Sequence, residues 1–475
     1  MHHPPNAQWA KHRRYYDARV PQPTVVILAA GEGTRMRSAL PKVLHPLCGR
    51  PLIAWPVAAA REAGVGRVIV VDNPKRRLAA HLPDEVEVAI QEEPRGTGDA
   101  VAAAAPLLDP DSTVVVINGD VALLTAEAIG KLIEAHEAAG ASATMATMEL
   151  DEPGTYGRVI RDSDGSVLRV AEAKTAGDAT PEELEIREVN TGVYAFDGGD
   201  LVKALETLDS DNAQGELYLP DVLPAMRDAG KTVAAHPIGD PDLTHGVDNR
   251  VDLAYAHRVA QRRILEAHML AGVTIVDPAS TRIDVAVAIG SDTTIEPFTQ
   301  LTGATTVGSG VVIGANSTLI DSTVGDGVTV LQSHLNQARV DDQATVGPFA
   351  YLRPDAHLHR KAKAGAFVEI KNSEIGEGTK VPHLSYVGDA DVGPGTNIGA
   401  GNITANYDGR NKHRTTIGAN VKTSVDTAFV APVTIGDNAY TGAGSVITED
   451  VPSGALGIAR ARQKNIEGYA DRKER

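Results

Sequence analysis

The chain has one cysteine, Cys48, in 475 residues. A lone thiol excludes a disulfide framework and any cysteine-rich metal site, and it fits a reducing compartment. Aromatic residues supply only 4% of the sequence. No run approaches the ~18 consecutive apolar residues that a membrane span requires. Positive charge is also short: 45 Lys and Arg face 62 Asp and Glu, a formal net charge of -17. That balance argues against broad binding to nucleic acid or to an anionic membrane. Anionic ligands would have to be held by local clusters of cations. Residues 1–23 contain no apolar run of the signal-peptide kind, so a disordered tail and a cytoplasmic protein are expected.

Glycine, by contrast, is plentiful, with 46 copies. Much of it belongs to a repeat. Apolar residues recur every six positions at Ile289, Ile295, Leu301, Val307, Ile313 and Leu319. They do so again at Ile417, Thr423, Phe429, Ile435, Thr441 and Ile447, with shorter in-phase runs at Val340–Leu358 and Ile375–Val387. Eleven Ile-Gly or Val-Gly pairs lie between Ile289 and Gly436. A period of six is the pattern of a parallel β-helix, in which each short strand points one aliphatic side chain inward and a small residue makes the corner. A narrow coil has no room for large rings, which accounts for the scarce aromatics.

The repeat breaks in one informative place. Six steps beyond Thr404 comes Arg410, and an unpaired arginine cannot point into an apolar coil. The phase returns at Ile417. Residues 405–415 are therefore expected to leave the coil as a loop, the usual place for function on a rigid scaffold.

The first half reads differently. Short β-rich runs at Val25–Leu28, Val68–Val71 and Val114–Ile117 alternate with Ala-rich helical stretches at Ile53–Ala63 and Thr125–Ala139. Alternation of this kind predicts a mostly parallel sheet covered on both faces, with ligands at the carboxyl ends of its strands. Two features fall there: the turn Gly31-Glu32-Gly33, and Asn118-Gly119-Asp120. The turn is neither a Walker A loop nor a full dinucleotide fingerprint, because Thr34-Arg35-Met36 follows it. Arg35 and Lys42 nearby make a triphosphate cradle the reading it supports best, a tight turn with solvated cations being the bland one. Asp120 is a candidate Mg²⁺ ligand, or else a turn residue. Between the halves, Asn249–Leu270 reads as a linking helix, with Asp248 or Asn249 as N-cap, Gly272 as stop and a stripe of Val251, Tyr255 and Val259.

From about residue 24 to 468 the chain resembles the bacterial bifunctional N-acetylglucosamine-1-phosphate uridylyltransferase / glucosamine-1-phosphate N-acetyltransferase family. The resemblance rests on LAAGEGTRM (28–36), PKVLH (41–45), Gln91 with Gly96-Thr97-Gly98, Asn190-Thr191-Gly192 and GVDNR (246–250). In the repeat it rests on LRP (352–354), FVEIKNSEIGEGTK (367–380), HLSYVGDA (383–390), NIGAGNIT (397–404), NYDG (406–409) and VAPVTIG (430–436).

The resemblance implies a Rossmann-like α/β nucleotidyltransferase domain at 24–248, a linker helix at 249–271, a left-handed β-helix acetyltransferase domain at 272–459 and a basic tail at 460–475. It implies a homotrimer that acetylates glucosamine 1-phosphate with acetyl-CoA, then joins N-acetylglucosamine 1-phosphate to UTP, giving pyrophosphate and a peptidoglycan precursor. His383 would be the catalytic base. Ala400 would offer an oxyanion donor, and Asn406, Tyr407, Ala443 and Arg460 would meet acetyl-CoA. Arg353, Lys371, Tyr386 and Asn397 would hold the acceptor sugar phosphate. Leu28, Ala29, Gly31, Gly33, Arg35 and Lys42 would line the UTP site, with Gln91, Gly96 and Thr97 on uracil. Gly157, Glu172 and Asn190 would meet N-acetylglucosamine, and Asp120 and Asp248 would hold Mg²⁺.

The chain departs from the family pattern at four positions. Asp248 stands where asparagine is common, Asn118 where an aromatic or small residue is usual, and Asp99 where a basic or polar residue is frequent. Val425 replaces a serine that contacts acetyl-CoA, and Ser424 beside it is expected on the other face of a strand. Two other readings compete: a two-domain nucleotidyltransferase for another sugar or base, or the same enzyme with a weakened uridylyl half. A scaffold with vestigial sites would not need Arg35, Lys42, Asp120 and His383, and all four stand.

Overall fold

The three β-rich runs lie side by side at the centre of one sheet. In the computed structural model, which describes residues 21–163, 165–173, 179–210 and 215–470, Thr24–Leu28 pairs in parallel with both Arg67–Asp72 and Thr113–Asn118. Val25, Val26 and Ile27 are wholly buried, as expected of a strand covered on both faces. Glu87–Ile90 extends one edge in parallel. On the other side Glu188–Asp197 runs antiparallel to both Thr113–Asn118 and Ala143–Glu149, and Val233–Pro237 closes the edge in parallel. Arg158–Arg161 and Val167–Ala171 form a side ribbon paired to Glu188–Asp197.

Helices cover both faces, and the sheet separates two apolar clusters, one around Val26, Val116 and Phe196, the other around Ile27, Ile117 and Ile129. The helical stretches fall at Ala54–Glu62 and Ala126–Ala139. Thr125 caps the latter, its hydroxyl accepting from the Ala128 N–H at 3.2 Å, and Gly140 ends it in the left-handed region.

The repeat forms a hexapeptide β-helix. Its short strands stack into three parallel ladders of seven, ten and nine strands. The ladder that starts at Arg282–Ile283 runs through Leu301, Leu319, Leu335, Leu352, Ile370 and Val387. All of the six-step residues, Thr423 and Thr441 included, are buried, and the aliphatic ones join one continuous core. The expected loop leaves between the strands Ile403–Ala405 and Thr415–Ile417. Asp408 organises it: one carboxylate oxygen accepts from the Arg410 and Asn411 N–H groups at 2.8 and 2.7 Å, the other from His413 at 2.7 Å.

The chain divides into two compact units, which within the described residues are 21–260 and 261–470. A helix, Arg250–Leu270, runs through the division. Asn249 caps it, with Oδ1 accepting from Val251 N and Asp252 N, while Asp252 accepts in return from Asn249 N. Its buried side is Leu253, Ala256, Val259 and Ala260; Val251 faces solvent, contrary to the stripe read from sequence. Val251 sits in the first turn, where no partner element covers it. No described helix is long and apolar enough to cross a membrane. The tail reading of residues 1–23 falls almost wholly outside the described residues, as do positions 471–475 of the basic tail.

Candidate functional sites

In the first unit the register brings the two turn motifs together. Leu28, Val71 and Asn118 end neighbouring strands in line, and Gly119 N donates to Leu28 O at 2.8 Å. The Gly-rich turn therefore lies directly beside Asp120. Gly33 has φ +62, and a Cβ there would run into the Cβ of Lys42, so only glycine lets the turn and Lys42 approach this closely. At Gly31 a Cβ would meet nothing within 4 Å, which marks open space over the turn. Leu28 and Ala29 form its floor, and Ala29 N bonds back to Val71 O at 2.9 Å.

Lys42 is the hub of this site. Its ammonium pairs with Asp120 and lies 3.1 Å from Asp248 Oδ1, which also pairs with Arg35 at 2.9 Å. Val247 N bonds to Asp120 O at 3.2 Å, so the GVDNR segment is laced to the strand end. Burial is the largest single influence on Lys42 and opposes its charge, but the two carboxylates together outweigh it and raise its pKa. Burial and the same two carboxylates push up the neighbouring Tyr156 phenol.

A second group gathers at the start of the helix Thr97–Ala104. Gln91 is buried; its Nε2 donates to Gly96 O at 3.1 Å and to Asp99 Oδ2 at 2.9 Å. Its Oε1 has no hydrogen-bond donor among the described residues and remains as an acceptor. The departure at Asp99 thus has a local purpose: it orients Gln91 and pairs with Arg95 at 2.8 Å. Thr97 Oγ1 accepts from Leu219 N at 3.0 Å.

Gly157, Glu172 and Asn190 form a third group. A Cβ at Gly157 would come within 3.3 Å of Glu172, and Asn190 N donates to Gly157 O at 2.8 Å. The unusual Asn118 side chain lies against Gly192, where a Cβ would meet its Nδ2 at 2.7 Å.

In the β-helix, one corner lines up four sequence-predicted positions. Gly401 N bonds to His383 O at 3.3 Å, Asp426 N to Ala400 O at 2.8 Å, and Gly444 N to Val425 O at 3.0 Å. The residues after each corner, Leu384, Gly401, Asp426 and Gly444, are all in the left-handed region. His383, Ala400, Val425 and Ala443 therefore occupy equivalent places on four successive coils. Ser424 and Val425 lie in this turn, not on a strand, which corrects the two-face reading; their backbone follows the corner rather than the pleat. The His383 ring is exposed and the Ala400 N–H has no acceptor among the described residues. Ala459 N bonds to Ser445 Oγ at 3.2 Å, which sets the exposed Arg460 beyond the last step of this column.

On the face after the corner lies a charged cluster. Arg353 pairs with Glu369 at 2.8 Å, and Lys371 with Asp389 at 3.3 Å. Asp389 also accepts from Asn372 at 2.6 Å and from Asn406, whose Nδ2 lies 3.4 Å from the Tyr386 hydroxyl. Burial opposes the Asp389 charge, but these donors and Lys371 hold its carboxyl below the usual range. Gly388 leaves the space that the Tyr386 ring occupies. Asn406 thus joins the acceptor cluster, while Tyr407 is exposed on the loop. Asn397 is not part of this cluster: it bridges Lys380 and Lys422 on the face before the corner.

Sequence reading assigned no role to Asp389, Asn372, Lys412 or Tyr156. The Lys412 ammonium is pushed below its ordinary value, chiefly by Lys371 beside it. Arg353, Lys371 and Lys412 therefore form one cationic group, delivered partly by the expelled loop. Asn372 and Asp389 lie inside motifs that carried the resemblance, so a signal was present without a role attached to it.

Residues 25–213 match the family model of a MobA-like NTP transferase domain, and residues 286–321 match that of the bacterial transferase hexapeptide, six repeats. The chain is 52% identical over 461 residues to the "Bifunctional protein GlmU" of Mycolicibacterium vanbaalenii, covering 94% of this chain and 93% of that one. The GlmU of Mycobacterium tuberculosis strain CDC 1551 is 50% identical over 459 residues, covering 94% and 92%. That of Streptomyces avermitilis is 50% identical over 456 residues, covering 94% of each.

Proposed function

Because the chain belongs to the GlmU family of bifunctional proteins, with a nucleotidyltransferase half and a hexapeptide acyltransferase half, we propose that it makes UDP-N-acetylglucosamine in two steps. The observation that carries the reading is the pairing of two separate constellations in one chain: Lys42 between Asp120 and Asp248, and His383 on a corner with Ala400.

In the acetyl step, Arg353, Lys371 and Lys412 hold the phosphate of glucosamine 1-phosphate and Tyr386 orients the sugar, with Asn397 outside this cluster, on the face before the corner. The amine must be neutral to attack. His383 takes its proton while nitrogen bonds to the thioester carbon of acetyl-CoA. The Ala400 N–H, which has no acceptor among the described residues, meets the developing oxyanion. The carbon–sulfur bond then breaks, and CoA leaves as the thiol carrying the proton that His383 took. Tyr407, Ala443 and Arg460 flank the cofactor, which runs along the corner, and Asn406 meets it from the edge of the acceptor cluster.

In the uridylyl step, a phosphate oxygen of N-acetylglucosamine 1-phosphate attacks the α-phosphate of UTP in line, and pyrophosphate leaves. Positioning and charge neutralisation dominate such chemistry. Arg35 and Lys42 exchange their carboxylate partners for phosphates over the open turn at Gly31 and Gly33. Gln91 Oε1, with Gly96 and Thr97, reads uracil; Gly157, Glu172 and Asn190 hold the sugar. Asp120 and Asp248 are hard oxygen donors already gathered at one cation, and they fit Mg²⁺, which supplies charge neutralisation on the phosphates when bound. Asp248 is favoured as a true ligand by its two contacts to Lys42 and Arg35.

The proposed protein is a cytoplasmic homotrimer, with domains at 24–248 and 272–459 joined by a linker at 249–271. Purified protein is to be assayed for each half-reaction separately, with glucosamine 1-phosphate plus acetyl-CoA, then N-acetylglucosamine 1-phosphate plus UTP and Mg²⁺. Product in both supports the reading. A silent uridylyl assay with a working acetyl assay would establish the weakened-half alternative instead.

A further inference from the structure

A different cluster sits on the β-helix, outside both constellations. The ladder pairs Arg339 with His357 and His357 with Glu374, flanking the inward residues Val340, Leu358 and Ile375. Asp341 and His359 follow Val340 and Leu358 on the same coils. Residues at i and i+2 share a strand face, so His357 and His359 both point outward, with Asp341 one coil before them and Glu374 one coil after.

We propose that Asp341, His357 and His359 bind a divalent first-row transition ion, with Glu374 orienting both imidazoles from behind. Asp341 Oδ2 lies 3.0 Å from His357 Nε2 and 3.6 Å from His359 Nδ1. The three ligand atoms all lie within 4.8 Å of one another. A tetrahedral zinc with bonds near ~2.0–2.1 Å separates its ligands by about 3.4 Å, and the two distances bracket that edge. The remote nitrogens, His357 Nδ1 and His359 Nε2, each lie 2.8 Å from the same Glu374 oxygen. A carboxylate on the far ring nitrogen is the arrangement that fixes the tautomer of a metal-bound histidine. Arg339 holds the other oxygen of Asp341 at 3.0 Å and leaves Oδ2 to face the rings.

Two imidazoles and one carboxylate suit zinc and its neighbours and do not suit Mg²⁺ or Ca²⁺, which take oxygen donors. This donor set therefore differs from the all-carboxylate pair of the nucleotide site. An ion here would tie two coils together directly and a third through Glu374.

The test uses the full chain, stripped with chelator and titrated with Co²⁺, read by visible absorption and bound-metal analysis. The expected result is a ligand-field band in wild type that saturates at one equivalent. The His357→Gln/His359→Gln variant should lose that band and one equivalent of metal. Glu374→Gln should keep the band and bind about 10- to 100-fold more weakly, and Asp120→Ala should leave the band unchanged. If the double variant does not fold by circular dichroism, His359→Gln alone replaces it. The proposal is overturned if wild type shows no such band, or if the histidine variant retains both band and stoichiometry.

Discussion

Individual side chains divide the two chemistries cleanly. His383 lies on the β-helix corner, in the second unit, so His383→Ala is expected to lower acetyl transfer by about 10²- to 10⁴-fold and to leave uridylyl transfer near wild type. If both activities fall together in a folded protein, the two-site reading is wrong. Val425 stands between Ala400 and Ala443 on the same corner, along the cofactor path proposed above. Val425→Ser is predicted to lower the KM for acetyl-CoA with little change in kcat, as expected when binding improves equally in ground and transition states; an unchanged KM would remove Val425 from the contact surface. Arg35, Lys42 and Asp120 were legible as candidates because turn position and charge single them out, whereas His383 was legible only through the family resemblance. Asp389 was not. It gathers Lys371, Asn372 and Asn406 from different coils and the loop, and linear spacing says nothing of neighbours across coils.

At the scale of elements, the inward residues were readable because a six-residue period has one geometric solution. The outward columns were not, because the coils differ in length: Val392 pairs with Ile417, a longer step than Ile417 to Ile435. That longer step is the expelled loop, whose existence followed from Arg410 but whose target, beside Lys371, did not. Asp408 holds the loop. Backbone N–H groups of Asn411 and Arg410, with His413, keep its pKa near about 2. A depressed carboxyl contributes order above its unfolded value and loses it as pH falls through the folded one. The loop should therefore stay ordered at pH 4 and loosen as pH approaches about 2. Hydrogen exchange across 406–414 reads this, and early loosening near pH 4 would contradict it. In the first unit, Thr125→Ala should cost about 1 kcal/mol through the lost helix cap, measurable by denaturant titration.

For the whole molecule, the apolar clusters do not merge: one fills the β-helix, and two lie on opposite faces of the sheet. Truncation of a coil residue such as the fully buried Leu352 should therefore be felt in one unit. Leu352→Ala is expected to destabilise the β-helix by about 2–5 kcal/mol, with uridylyl activity outlasting acetyl activity during a thermal ramp; simultaneous loss would show that the units unfold as one. The net charge of -17 is silent about ligands, because each proposed anion site is built from two or three cations within an acidic whole. The corner column adds a further property. His383, Ala400, Val425 and Ala443 are separated by a fixed rise of ~4.8 Å per coil, so the column works as a ruler. An acyl donor laid along it, as the proposed function has it, is measured by its length, and a thioester truncated to a few atoms beyond sulfur would reach the proposed reacting end while falling short of Ala443 and Arg460.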